Sequence, residues 1–207
     1  MISRTVHYFR RVDEKLQDWR LGIETIEYGA IINPNNPDAR GYSPTSYRDW
    51  RIIKKSIFAD TTKSFVDYGA GLGRVVILAA RLPFKLIRGV ELDADLVRRA
   101  NANIARANPP IPVQMLCVDA ATYEVPIDAT VLFFHNPFAG AILRATLGRI
   151  KDSYEKQRRP LQIVCNLPET CAFEGEIAAA TWINLSSQFR LTDGRKCLIY
   201  TPAIVSV

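Results

Sequence analysis

The sequence predicts an α/β chain: a mostly parallel sheet with helices on both faces, an antiparallel hairpin closing one edge, and a helical cap at the N-terminus. Three observations predict it. From residue 64 onward, short apolar runs alternate with helical segments, the pattern of parallel strands joined by crossovers. A glycine-rich turn, Gly69-Ala70-Gly71-Leu72-Gly73, joins the first run directly to a helix. Two strand-like runs near the C-terminus flank Asp193-Gly194, a short-turn signal for an antiparallel pair.

Residues 1–60 are expected to form the cap and 61–207 the core. Val6, Phe9, Val12, Leu16 and Trp19 recur every three or four positions and draw an apolar stripe along a first helix. That helix is expected to dock on the core with Arg10, Arg11, Lys15 and Arg20 on a solvated face. Residues 29–44 hold three prolines, three asparagines and two glycines, and read as a loop. Thr45 or Ser46 caps a second helix, and Asp49 stands three residues after Ser46 as in a capping box. Tyr47, Trp50, Ile53 and Ile57 give that helix its buried face. Strands are expected at Ser64–Tyr68, Leu86–Leu92, Val113–Val118, Thr130–Phe134 and Leu161–Asn166. Helices fall at Arg74–Ala80, Asp95–Ala107 and near 139–154 and 171–180, and Trp182–Leu191 with Lys196–Thr201 form the hairpin.

The composition, 48% hydrophobic and 23% charged over 207 residues, excludes disorder, coiled coil and collagen. No apolar run approaches the ~18 residues of a membrane span. The net charge of +6 comes from 10 basic and 8 acidic residues in 1–60 and 17 and 13 in 61–207, so it is not concentrated in an arm that would grip nucleic acid. Met1 to Arg4 leads into a polar stretch, and no secretory signal is expected. Cys117, Cys165, Cys171 and Cys197 include no Cys-x-x-Cys pair and read as reduced thiols, three of them within strand runs. With only His7 and His135 in the chain, no metal cluster is expected. A cytoplasmic location follows as an expectation.

The glycines after the first strand permit a tight turn and close approach to a ligand, and the following helix offers free N–H groups. A dinucleotide fingerprint places its third glycine at the sixth position; here Arg74 stands there and the glycine comes one residue early. A bulky side chain at that contact argues against a pyrophosphate cofactor.

Asp67-x-Gly69-x-Gly71-x-Gly73 resembles the first motif of class I S-adenosylmethionine-dependent methyltransferases, whose Rossmann-like core has seven strands. Glu91, ending the second strand, matches the acid that in this family holds both ribose hydroxyls. Asp119, after the third, matches the acid that accepts the adenine amine. The closing hairpin resembles the family's sixth and seventh strands. The resemblance covers residues 64–201 and implies S-adenosyl-L-methionine as cofactor. It suits the residues: carboxylates accept from hydroxyl and amine donors, and a sulfonium zwitterion without phosphate tolerates an acidic site.

Asn136-Pro137-Phe138 ends the fourth strand, which adjoins the first where ligands bind in such sheets. The turn resembles in part the Asn-Pro-Pro-aromatic motif of amino-group and amide methyltransferases, lacking its second proline. It also resembles the Asn-Asn-Phe turn of non-SET histone-lysine methyltransferases. The implied roles are acceptance of the substrate N–H by Asn136 and a site wall from Phe138, with a nitrogen acceptor, most plausibly a protein lysine. His135 reads as a strand-end histidine directed away from the pocket rather than a proton acceptor beside it. Gly41 to Tyr47 resembles a Tyr-x-Pro-[Thr/Ser] stretch of small bacterial methyltransferases; Tyr42 and Tyr47 are candidates to reach the cofactor from a lid, or simply pack. The basic residues 144–159 point to a partner with an acidic surface. The alternatives are a small-molecule methyltransferase, a nucleic-acid methyltransferase or a non-catalytic cofactor-binding module.

Overall fold

A computed structural model describes residues 4–26, 41–60, 62–192 and 194–203, with side chains from Arg11 onward. Most of the expected loop at 29–44, the side chains of Val6 and Phe9, and Asp193 of the expected hairpin turn lie outside the described residues.

Seven strands form one sheet: β1 (Ser64–Tyr68), β2 (Leu86–Glu91), β3 (Val113–Cys117), β4 (Ala129–Phe134), β5 (Gln162–Leu167), β6 (Ile183–Arg190) and β7 (Lys196–Pro202), in the order β3-β2-β1-β4-β5-β7-β6. The first five are parallel, and β7 runs antiparallel between β5 and β6. The helices are α1 (Arg4–Leu21), α2 (Tyr47–Ile53), α3 (Arg74–Ala79), α4 (Ala94–Ala107), α5 (Gly140–Lys156) and α6 (Ala172–Ala178). The chain leaves β1 toward β2 on one side and returns to β4 on the other. The crevice at that reversal opens beyond the carboxyl ends of β1 and β4, where such sheets bind ligands.

Every residue of β1, β4 and β5 is buried, as in central parallel strands covered on both faces. Alternation divides them between two layers. Tyr68 and Phe134 stack at 4.6 Å in the layer with Leu143, Ile150 and Phe173, under α5 and α6. Phe65 and Phe133 face the other way, where Trp50 of α2 meets both rings edge-on. Cys165 and Cys197 are buried among them, whereas Cys117 on the edge strand β3 is exposed.

The N-terminal segment docks differently from the expectation. In α1 the stripe of Val12, Leu16 and Trp19 is exposed, at 46%, 40% and 76% of full accessibility. The face turned to the core carries Glu14 and Asp18, one turn apart. The cause is Arg74, the first residue of α3 and only 2% exposed. A buried guanidinium must be neutralised and hydrogen-bonded. Glu14 and Asp18 supply the charge, with Asp18 Oδ1 at 3.2 Å, while Thr25 Oγ1 and the Thr45 carbonyl accept at 2.6 and 3.1 Å. The Tyr47 ring lies 4.4 Å from the guanidinium carbon, and its hydroxyl donates to Asp18 at 2.6 Å.

Ser46 caps α2 as expected, accepting from the Asp49 N–H at 3.1 Å. Asp49 does not reciprocate. Its Oδ1 accepts from the backbone N–H and hydroxyl of Thr192, at 2.9 and 2.7 Å, and ties α2 to the β6–β7 connection. No helix among the described residues is long and apolar enough to cross a membrane.

Candidate active site

The turn after β1 is held by two donations from its own backbone, Gly69 N–H and Ala70 N–H to the Val90 carbonyl at 2.8 and 3.1 Å. Two of its glycines are demanded by close approach as well as by positive φ. At Gly69 (φ +71°) an added methyl would overlap the Cβ of Pro137, and at Gly71 (φ +53°) it would overlap the ring of Tyr42. Gly69→Ala is therefore expected to cost at least ~1–2 kcal/mol from the left-handed backbone alone. Displacement of Pro137 adds to that cost, and urea denaturation reads the sum.

Glu91 binds the turn to the end of β2. Its Oε2 accepts from Gly71 N–H at 2.9 Å, and Oε1 accepts from the N–H groups of Leu92 and Asp93 at 2.8 and 3.0 Å. Asp93 caps α4 through the N–H groups of Asp95 and Leu96. Asp119 accepts from Ala121 N–H at 2.8 Å. Asp67 lies within β1, 3% exposed. Burial, and then the charge of Glu91, push its carboxyl well above the usual carboxylate range.

The turn after β4 places Asn136 in the left-handed region at φ +47°, a conformation an asparagine adopts far more readily than a branched residue. Pro137 follows and packs on Gly69. Phe138 is 7% exposed, its ring edge-on to Phe134 at 6.1 Å. Glu176 of α6 accepts from Gly140 N–H at 2.8 Å and holds the far end of the turn.

One cavity gathers most of the residues singled out from the sequence. Glu91, Asp119, Gly69 and Tyr42 line it together with Asn136, Pro137 and Phe138. Asp67, Gly71 and Gly73 lie outside the lining. Tyr47 is not at the cavity: it is spent beneath Arg74 in the docking of α1. His135, read from the sequence as directed away, does line the cavity. Asp93 also lines it and was not singled out; an acid two residues beyond Glu91 was the available signal. The lining holds three carboxylates and, among the described residues, no lysine or arginine. Such a site repels phosphate and suits a cation with hydroxyl and amine donors, so the residues fit S-adenosylmethionine.

No family model matches the chain. A ribosomal protein L11 methyltransferase of Dechloromonas aromatica (strain RCB) is 30% identical over 115 residues, 54% of this chain and 37% of that protein. The matched stretch is thus well under half of that relative's length. Among solved structures, a methyltransferase from Pyrococcus furiosus superposes with a TM-score of 0.66 at 16% identity, over 97% of this chain and 100% of that one. An RNA methyltransferase from Salinibacter ruber, in complex with S-adenosyl-L-homocysteine, gives 0.59 at 20% identity, over 80% and 97%. Sheet order, the glycine turn after β1 and these superpositions show that the chain has the Rossmann-like fold of class I S-adenosylmethionine-dependent methyltransferases.

Proposed function

We infer that the protein transfers a methyl group from S-adenosylmethionine to a nitrogen acceptor, a lysine side chain of a protein. The observation that carries this reading is the Asn136-Pro137-Phe138 turn on the same cavity as Glu91 and Asp119. Glu91 would take the ribose hydroxyls and Asp119 the adenine amine, each charged hydrogen bond being worth ~1.5–3 kcal/mol. Leu92, Val118 and Ile142 offer apolar walls for a planar base. Asp67 lies buried behind the turn with its carboxyl raised toward the neutral form, and a cationic ligand at the turn would favour its ionisation. The bound cofactor supplies an activated methyl on sulfonium sulfur.

The chain's task is then positioning and water exclusion, which can account for ~7–11 kcal/mol of barrier lowering. Asn136 Oδ1 accepts an amine N–H and turns the nitrogen lone pair toward the methyl. Tyr42, seated over Gly71 with its hydroxyl donating to the Thr25 carbonyl at 2.8 Å, covers the turn as a lid would. The relative's name supports a protein acceptor. Exposed Arg149, Lys156 and Arg158 on and after α5 support a partner with an acidic surface.

Tritiated methyl transfer into a fractionated lysate tests the acceptor: label is expected in protein, on lysine after hydrolysis, and label in RNA or small molecules overturns that assignment. Asn136→Ala is expected to keep S-adenosylhomocysteine affinity within about twofold by calorimetry while turnover falls about 10²-fold. Full turnover in that variant removes Asn136 from the mechanism.

A further inference from the structure

His135 carries chemistry that the mechanism above does not use. It follows β4 directly and lines the cavity beside Asn136. Both of its ring nitrogens are buried without a hydrogen-bond partner among the described residues. Buried polar side-chain atoms are ordinarily paired, so a ring with neither nitrogen satisfied at the wall of a ligand cavity points to a ligand. Burial, and then the charges of Arg195 and Arg74, hold its pKa well below the usual histidine range. The ring is therefore neutral, with one donor and one acceptor nitrogen.

Asn166 on β5 stands one register step beyond the Phe134–Cys165 pair, fully buried, with its amide oxygen and nitrogen both without a partner among the described residues. Thr45 Oγ1 is in the same condition. Phe133 and Val164 pack in the layer with Trp50, so alternation puts residues 135 and 166 on that same face, where the segment around Thr45 leads into α2.

We propose that His135 is a second acceptor-binding residue: its unprotonated ring nitrogen takes one N–H of a neutral primary amine while Asn136 takes the other. The proposal rests on the methyltransferase reading with a nitrogen acceptor. A neutral amine has two N–H bonds and one lone pair, so two fixed acceptors leave the lone pair one direction, toward the methyl. The C–N bond then forms as the C–S bond breaks with its electron pair on sulfur, and the alkylammonium product gives its proton to solvent. A hydroxyl acceptor carries only one hydrogen and leaves one of the two protein acceptors unpaired, which a polar site penalises strongly.

The chain has two histidines, His7 and His135, so protein labelled with nitrogen-15 at histidine yields two sets of ring signals. With S-adenosylhomocysteine bound and pH fixed, n-butylamine is expected to shift the His135 signals saturably and leave His7 unmoved, while n-butanol does neither. His135→Phe is expected to keep S-adenosylhomocysteine affinity and weaken n-butylamine binding at least tenfold. An unmoved His135 ring with S-adenosylhomocysteine bound, or an equal response to n-butanol, overturns the proposal and leaves the methyltransferase reading standing. Failure of S-adenosylhomocysteine to bind overturns both.

Discussion

Replacing Arg74 by methionine is expected to destabilise the protein by about 3–5 kcal/mol, the cost of leaving buried charge without its partner. Two carboxylates, Glu14 and Asp18, face that guanidinium, together with Thr25 and the Thr45 carbonyl. The pH dependence separates this cause from a simple loss of packing. Burial already raises the Glu14 carboxyl above its ordinary value, although Arg74 pulls it down. Removing Arg74 raises it further. An acid whose folded pKa lies above its unfolded one costs stability as pH rises from the unfolded value toward the folded one. The variant is therefore expected to be less stable at pH 8 than at pH 5, by about 1.4 kcal/mol for each pH unit the carboxyl is raised. Guanidinium denaturation at the two pH values measures this; equal losses at both would show that Arg74 contributes bulk and not charge. Arg74→Lys is expected to recover only part of the loss, because an ammonium lacks the fork that reaches four acceptors at once.

Asp67→Asn is expected to move stability and affinity in opposite directions. The Asp67 carboxyl is raised by burial and by Glu91, so its ionised form is costlier in the folded protein than in the unfolded chain at neutral pH. Asparagine removes that cost and should raise the melting temperature of the ligand-free protein. It also removes a group that can ionise when a cationic ligand binds beside it. S-adenosylmethionine affinity is expected to fall about ten- to hundredfold, the worth of one hydrogen bond to a charged group. Differential scanning calorimetry and isothermal titration read the two effects separately. A lower melting temperature with unchanged affinity would make Asp67 a structural residue.

The reversed docking of α1 shows where a sequence pattern stops. The spacing of Val12, Leu16 and Trp19 establishes a helix with one apolar side, and α1 is a helix. Periodicity says nothing about which side the rest of the molecule covers. That depended on Arg74, sixty residues away from Glu14, whose buried charge outweighs the burial of three apolar side chains. Arg74 itself was legible only as a residue too large for a pyrophosphate turn; its use as a clamp needed the partners that folding brings.

The same division runs through the site. The strand-end positions of Asp67, Glu91 and Asp119 were legible because the place of each strand in the sheet follows from alternating strands and right-handed crossovers. Tyr42 and Tyr47 were both candidates in sequence, five residues apart, one before α2 and one at its first position. Folding set Tyr42 over Gly71 and Tyr47 under Arg74. His135 was misread because alternation carries it to the face of Phe133, and only the folded chain shows that the cavity reaches that position. The sequence by itself determined the sheet, the glycine turn and the acids around it, because local periodicity and spacing encode them. Only the tertiary structure decided which face of α1 is covered, which tyrosine meets the turn and where His135 points, because each depends on contacts between residues far apart in the chain.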